Sequence, residues 1–505
     1  MFIKFILNKP YKHIIRGGYQ MNKSIKKNAT LNTIRIFSKL LFPLITIPYV
    51  SRVLGVDNVG IYNFAASIVS YFVLIAQLGI NTFAIREGAK YRDDKKKISS
   101  FASDVFTINV ISTITSYILL FICLLFATSL KNYTFIIFIL SFEILLNTIG
   151  CEWIYTIYEE YGYITFRTII VQILSIVALF LFVRTESDLI NYCYIMVISV
   201  SGANIINLFT LRNYCKLRLS ISKNTKLYLI PILLLFVNSI ATTVYVNSDV
   251  TILGLIKSDY YVGLYSIATK IYSTVKSIIA AMIIVSIPRL SYLIGNNKKE
   301  EFKKLSLKII NSLIVVALPA MVGLIILSDD VILILSGKDF LPGVMSLRIL
   351  SVALIFSVFS WFYMSCILIP SKKDKEVLVA TIISAVVNIL LNILLIPLFY
   401  QDGAAFTTVI AELISFALCY KKAKEIVKIN IPIKNLLLSI VGCIGIIIYC
   451  FILSYFNINI YIALAIKIIG SVLIYGAIEL LLKNDTILYY KDIVTKSIMK
   501  ILKKH

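Results

Sequence analysis

Residues 34–55 read IRIFSKLLFPLITIPYVSRVLG, a stretch apolar enough to cross a bilayer that nevertheless carries Arg35 and Lys39 one helical turn apart. At 1.5 Å rise per residue, about 20 apolar residues cross a hydrocarbon layer of about 30 Å. A cation in the middle of such a span costs about 3 kcal/mol unless it faces a partner or water. The stretch therefore reads as a membrane helix with one polar face, and the rest of the chain has to supply what that face looks onto.

The surrounding sequence repeats the pattern. The 505 residues are 59% hydrophobic and only 15% charged, with a mean hydropathy of +0.89, whereas soluble domains carry about 25% charged residues. Long apolar runs succeed one another with short polar breaks, and fourteen spans are expected: 30–54, 58–84, 99–128, 132–156, 163–183, 188–211, 227–256, 260–288, 306–328, 344–369, 376–398, 402–420, 435–455 and 459–482. Strands of a membrane barrel would alternate apolar and polar over about ten residues, which these runs do not. The expected fold class is an all-α integral membrane protein of about 14 transmembrane helices, with no sizeable soluble domain.

The net charge of +24 is distributed by side rather than by patch. Lys and Arg crowd the segment before the first span, the even-numbered breaks and the tail, while the other loops hold Arg52, Lys131, Arg184, Lys257, Lys338 and Arg348. This asymmetry is the positive-inside rule; it places both termini and the even-numbered loops in the cytoplasm, against an anionic inner leaflet. No basic patch is interleaved with base-stacking aromatics on a soluble module, so nucleic acid is not an expected partner. Eight cysteines without a CxxC and two histidines, His13 and His505, give no disulfide framework and no metal site. Residues 1–20 have a basic start but no small-residue cleavage site. Arg16-Gly17-Gly18 can be encoded by a purine-rich run resembling a ribosome-binding site, so Met21 is the expected natural start.

The chain is duplicated. VGIYNFA (Val59–Ala65) opens the second span and VGLYSIA (Val262–Ala268) opens the eighth, an offset of 203 residues. Six spans separate them, so both copies enter the membrane in the same direction, the parallel-repeat arrangement of transporters with substrate between two lobes. The expected domains are a cytoplasmic segment at 1–29, an N-lobe at 30–222 (spans one to six), a C-lobe at 223–425 (spans seven to twelve), and spans thirteen and fourteen with a basic tail at 426–505. The two six-helix lobes are pseudo-symmetric around a central cavity.

Polar stripes mark that cavity. Arg35, Lys39, Phe42, Thr46 and Tyr49 follow helical spacing, and the repeat offset leads to Asn238, Thr242, Tyr245 and Asp249. The second span adds Asn63 and Ser67, and the eighth adds Ser266, Lys270 and Ser273. Lys39 and Lys270 lie about 13 and 15 Å into their spans, near the midplane. Asp249, Glu143 and Glu412 are the candidate ion-coupling carboxylates. A cavity with more cations than acids suits an anionic ligand better than an organic cation.

The run LFPLITIPYVSRVLGVDNVGIYNFAASIVSYFVLIAQLGINTFAIREGAKYRD (Leu41–Asp93) resembles the N-terminal signature of the Wzx-type O-antigen and capsule repeat-unit flippases. EWIYTIYEEYGYITFR (Glu152–Arg167) is similar to a second family stretch at Trp153 and Glu159, although Thr156-Ile157 replaces its Gln-Gly pair. NILLNILLIPLFYQDGAAFTTVIAE (Asn388–Glu412) resembles the family's eleventh-to-twelfth hairpin. The resemblance implies translocation of an undecaprenyl-diphosphate-linked oligosaccharide from the inner to the outer leaflet of a bacterial cytoplasmic membrane by alternating access. It implies a coupling ion, H+ or Na+, association with a polysaccharide polymerase, surrounding membrane lipids, and no cofactor. Arg35, Lys39 and Lys270, with Asn63, Ser67 and Asn238, would then hold the diphosphate and sugar, since ammonium and guanidinium groups bind phosphate by charge-assisted hydrogen bonds. Arg52 would act at the outer end. Lipid II flipping and multidrug export are alternatives within the same superfamily. A polytopic polysaccharide polymerase needs a large external loop, and the longest here is about SGKDFLPG (Ser336–Gly343).

Overall fold

The computed structural model describes residues 25–427 and 433–502; the expectations placed on residues 1–24, including the start at Met21, lie outside them. Among the described residues every regular element is helical. The first, α1 (Ile25–Gln77), is 53 residues long and breaks at Gly55, whose φ of 75° suits a residue without a Cβ. Phe42 and Ala66 line a single cavity of about 180 Å³, although an unbroken helix would hold them about 36 Å apart. The chain therefore folds back at Gly55, and α1 is a helical hairpin that supplies the first two spans.

The second leg stops at Gln77 rather than near residue 84, because Leu78 and Gly79 take positive φ and a short helix, α2 (Ile80–Gly88), sets off in its own direction. In α3 (Lys95–Phe126), Ile111, Ile114, Ile118, Phe121 and Leu125 recur every three or four residues and are all exposed, while Asn109, Ser112 and Ser116 on the other face are buried. Asn109 Nδ2 and Ser112 Oγ donate to the Ala76 carbonyl at 2.8 and 2.6 Å, and Ser116 Oγ donates to that of Phe72 at 2.6 Å. Apolar side chains outward and small polar groups inward are what lipid as solvent selects, since interior polar groups must find partners within the protein.

The N-lobe continues with α4 (Thr134–Gly150) and α5 (Glu152–Ile157), separated at Cys151 with φ 41°, so the expected fourth span divides in two. It closes with α6 (Tyr161–Phe182), α7 (Leu189–Val197) and α8 (Ala203–Thr210), the last two joined through a π turn at Ile198–Gly202. The C-lobe holds α9 (Lys223–Ile256), α10 (Asp259–Gly295), α11 (Lys299–Ile326), α12 (Ser328–Ser336), α13 (Val344–Phe362) and α14 (Asp374–Ile426). Like α1, α14 is a hairpin. It breaks at Tyr400, φ 53°, and a Cβ on Gly403 would sit 2.6 Å from the Leu395 carbonyl oxygen, whereas eight residues along a straight helix span about 12 Å.

Twelve described stretches are long and apolar enough to cross a membrane; with α1 and α14 each supplying two legs, they match the fourteen expected spans. The last helices are α15 (Ile433–Ser454), α16 (Ile460–Leu481) and α17 (Asp485–Leu502). They dock on the C-lobe through Val315, Leu327, Cys443, Ile446 and Tyr475, through Lys467 paired with Asp330 at 2.7 Å, and through the Ser312–Tyr490 hydroxyl contact at 2.8 Å.

Candidate functional site

The largest polar cavity among those described, about 650 Å³, lies within the N-lobe. The first leg of α1 brings Arg35 and Lys39 to it, α5 brings Glu152 and Trp153, and Gln77, Asn81, Asn147, Gln172 and Asn204 add carboxamides. Glu152 is the hinge of its electrostatics. One carboxylate oxygen lies 2.9 Å from Arg35 Nη1 and the other 2.6 Å from Arg167 Nη2. Arg167, 2% exposed, also donates to Asn204 Oδ1 at 3.4 Å, and Asn204 donates to Asn147 at 2.9 Å. Lys39 has no ion pair among the described residues. Three cations therefore stand against one carboxylate, which leaves a net charge of +2 beside a set of amides able to donate to and accept from hydroxyls.

The expected convergence of Arg35, Lys39 and Lys270 on one inter-lobe cavity is corrected by this arrangement. Lys270 lines two smaller cavities between the lobes. One, about 180 Å³, includes Phe42, Thr46, Tyr62, Asn63, Tyr192 and Ile267; the other, about 160 Å³, includes Asn63, Ser67, Asn247 and Ser266. The Lys270 ammonium sits 5.9 Å from the Tyr62 ring centroid. Phe42, Pro43 and Met196 line both the large N-lobe cavity and the 180 Å³ one, so apolar side chains one turn beyond Lys39 separate the two groups of cations.

The remaining expected residues fall in different places. Asn63 and Ser67 line the inter-lobe cavities, with Thr251 Oγ1 donating across the lobes to Ser67 Oγ at 3.0 Å. Asn238 is exposed and lines none of these cavities, because the buried polar face of α9 begins nearer its other end, at Ser248 and Asp249. Arg52 caps a helix: its guanidinium donates to Pro48 O at 2.6 Å and to the Ile334 and Leu333 carbonyls at the C-terminal end of α12, where orphan carbonyls attract a cation.

Of the three carboxylates, Asp249 is buried in a cage of donors: Tyr265 Oη, Thr408 Oγ1 and Asn392 Nδ2, each at 2.6 Å. Asn388, itself accepting from Ser248 Oγ at 2.9 Å, and Thr407 complete the cage. Glu412 is not free, since Lys276 Nζ lies 2.9 Å away. Glu143, half-buried on α4, has no paired cation among the described residues.

Sequence reasoning missed Glu152 as a cavity residue and Arg167 as the buried cation behind it. Both fall in the stretch Glu152–Arg167, close to the facing ends of the expected spans 132–156 and 163–183, where a charge reads as interfacial; the turn at Cys151 breaks the first of these spans and starts α5 at Glu152, while Arg167 sits on α6. Trp153 lines the same cavity, whereas Glu159 pairs with Arg92 at 2.9 Å outside it.

A family model described as "Polysaccharide biosynthesis protein" matches residues 25–294, more than half of the chain, and one described as "MatE" matches residues 235–394. Among curated proteins, the "Putative O-antigen transporter" of Escherichia coli (strain K12) is 24% identical over 392 residues, covering 77% of this chain and 94% of that protein. The "Capsular polysaccharide biosynthesis protein CapF" of Staphylococcus aureus is 23% identical over 379 residues, covering 72% and 91%. Among solved structures, "Lipid II flippase MurJ, inward closed conformation" superposes with a TM-score of 0.72 at 17% identity, covering 92% of this chain and 100% of that one. An inward-facing multidrug resistance MATE family transporter of the MOP superfamily gives 0.62 at 16% identity, covering 79% and 97%. These structural likenesses carry the fold alone, that of a two-lobe membrane transporter.

Proposed function

The chain belongs to the polysaccharide biosynthesis protein family, and from that premise we propose that it is a flippase for lipid-linked oligosaccharides. Its relatives include proteins named for O-antigen transport and capsular polysaccharide biosynthesis, and a further relative in Haloferax volcanii is named as a glycan biosynthesis flippase. In this reading the carrier is undecaprenyl diphosphate, the membrane is the bacterial cytoplasmic membrane with both termini inside, and the direction is from the inner to the outer leaflet. The observation that carries it is Lys39, without an ion pair among the described residues, beside the Arg35–Glu152–Arg167 group at a carboxamide-lined cavity. A diphosphate cannot enter hydrocarbon without counter-charge, and this cavity supplies it, while the amides address the sugar and the polyprenyl tail remains in lipid. Lys270 acts later in the path, after the lobes rearrange around Phe42. Asp249 is the candidate for ion coupling, with H+ or Na+ as the ion, and a polysaccharide polymerase is the candidate partner.

The test is a charge series at Lys39. Surface-polysaccharide export in a strain carrying only the variant should fall in the order wild type, Lys39→Arg, Lys39→Ala, Lys39→Glu, with equal amounts of protein in the membrane. A cation of different geometry keeps part of the phosphate contact, whereas a carboxylate repels it. Full export by Lys39→Glu would overturn the reading.

A further inference from the structure

A second basic site, sharing no lining residue with the three cavities described above, lies where the linker after α8 meets the start of α3. A cleft of about 510 Å³ is lined by Lys95, Lys96, Arg212, Lys216 and Arg218, together with Ser99, Ser100 and Ser103, and it includes no carboxylate. All five cations are exposed, and none is paired with an acid among the described residues. The adjacent acids are engaged elsewhere. Asp94 accepts from the Lys96 and Lys97 amides as the N-cap of α3, and buried Asp104 accepts from the Ser222 and Thr225 hydroxyls.

The cleft is built on a frame. Ser99, Ser103 and Thr107 recur every four residues on one face of α3, and they accept hydrogen bonds from the backbone amides of Lys216, Arg218 and Ser220 at 3.1, 3.1 and 2.9 Å. Three amides at alternate positions tie the segment in an extended form along the helix, so Lys216 and Arg218 share one face. Leu219 and Ile221, flanking these positions, are 68% and 77% exposed, and Phe209 at the end of α8 is 73% exposed. Fixed cations bordered by protruding apolar side chains match the level of a bilayer where phosphates give way to acyl chains.

We infer that this cleft binds the phosphate headgroup of an anionic glycerophospholipid from the leaflet it faces, with Arg212, Lys216 and Arg218 on the phosphate and Leu219 and Ile221 against the acyl chains. The site is independent of the transport cavity, and its occupancy would fix the 212–222 linker that joins the two lobes.

The experiment uses the full-length purified protein, with phosphatidylglycerol or phosphatidylcholine added, and reads retained lipid by native mass spectrometry and thermal unfolding in parallel. Phosphatidylglycerol should be retained and should raise the unfolding temperature more than phosphatidylcholine. The triple variant Arg212→Gln/Lys216→Gln/Arg218→Gln should weaken that binding by about tenfold or more. The single variants Lys216→Gln and Arg218→Gln remain readable should the triple variant not fold: each should weaken phosphatidylglycerol binding several-fold, and unchanged preference in both would count against the site. Lys299→Gln/Lys303→Gln/Lys304→Gln, on another basic loop, should leave binding unchanged. An equal loss in that control, an equal response to phosphatidylcholine, or displacement of phosphatidylglycerol by undecaprenyl diphosphate would each overturn the inference.

Discussion

Gly60 and Gly263 cross where the two lobes touch: a Cβ on Gly60 would stand 1.9 Å from the Asp259 carbonyl oxygen and 3.0 Å from the Gly263 nitrogen, and one on Gly263 would stand 2.2 Å from the Val56 carbonyl oxygen. The two copies of the VGxYxxA repeat therefore pack against each other, with glycines permitting backbone contact between helices. Nearby, Ser51 and Arg52 reach the carbonyls at the end of α12, which closes the molecule at this end.

Gly60→Val and Gly263→Val should thus force the lobes apart at that contact and shift the population toward the opposite state. In a background without native cysteines, a cysteine at the buried inter-lobe position Ser266 should react with an impermeant thiol reagent about tenfold faster in either variant. An unchanged rate would mean that the glycine contact does not hold this state.

The Glu152 group should respond asymmetrically. Glu152→Gln leaves Arg167, 2% exposed, with its charge uncompensated, and losing one partner of a buried pair costs about 3 kcal/mol. Arg167→Gln leaves Glu152, 40% exposed and still 2.9 Å from Arg35, so screening and the second partner should hold the cost to about 1 kcal/mol. Thermal unfolding in one detergent should rank Glu152→Gln as the less stable variant; the reverse order would contradict the assigned geometry.

Lys276 and Glu412 should behave as a pair. With Glu412 buried and Lys276 about one-third exposed, Lys276→Met and Glu412→Gln should each destabilise by about 2 kcal/mol, and the double variant by less than the sum, because no charge is then left unpaired. Additive losses would mean that the two groups do not depend on each other.

The fold was legible because lipid imposes a simple rule. Long apolar runs, basic residues in alternate breaks and the 203-residue repeat led to the spans and the lobes, since only helices satisfy their own backbone in hydrocarbon. The hairpin breaks at Gly55 and Tyr400 fell between expected spans for the same reason. The site was legible only in part. Helical spacing placed Arg35 and Lys39 on one face, but it carries no information about which cavity that face meets, and Phe42 divides what the stripe joined. Glu152 depends on a turn at Cys151, a left-handed residue that no apolar pattern announces, and Arg167 meets it from α6. Arg52 took the carbonyls of a helix nearly three hundred positions away, a partner that spacing cannot supply.

Asp249 yields the last prediction, because its carboxylate accepts three donors at 2.6 Å and shares its cage with the oxygens of Asn388, Asn392 and Thr407. Asp249→Asn keeps the shape but presents an amide N–H₂ to groups that already donate, so at least one hydrogen bond to a charged group, about 2 kcal/mol, should be lost from stability. If Asp249 couples transport to an ion, the two effects can be separated in proteoliposomes. Wild-type flipping of a labelled short-chain lipid-linked sugar should accelerate under a Na+ or H+ gradient, whereas Asp249→Asn should flip at one slow rate with or without it. The variant pair Asn392→Ala and Thr408→Ala should weaken the response without abolishing it, since the carboxylate remains. A full gradient response in Asp249→Asn would remove Asp249 from the coupling path and leave its cage as a structural joint between α9, α10 and α14.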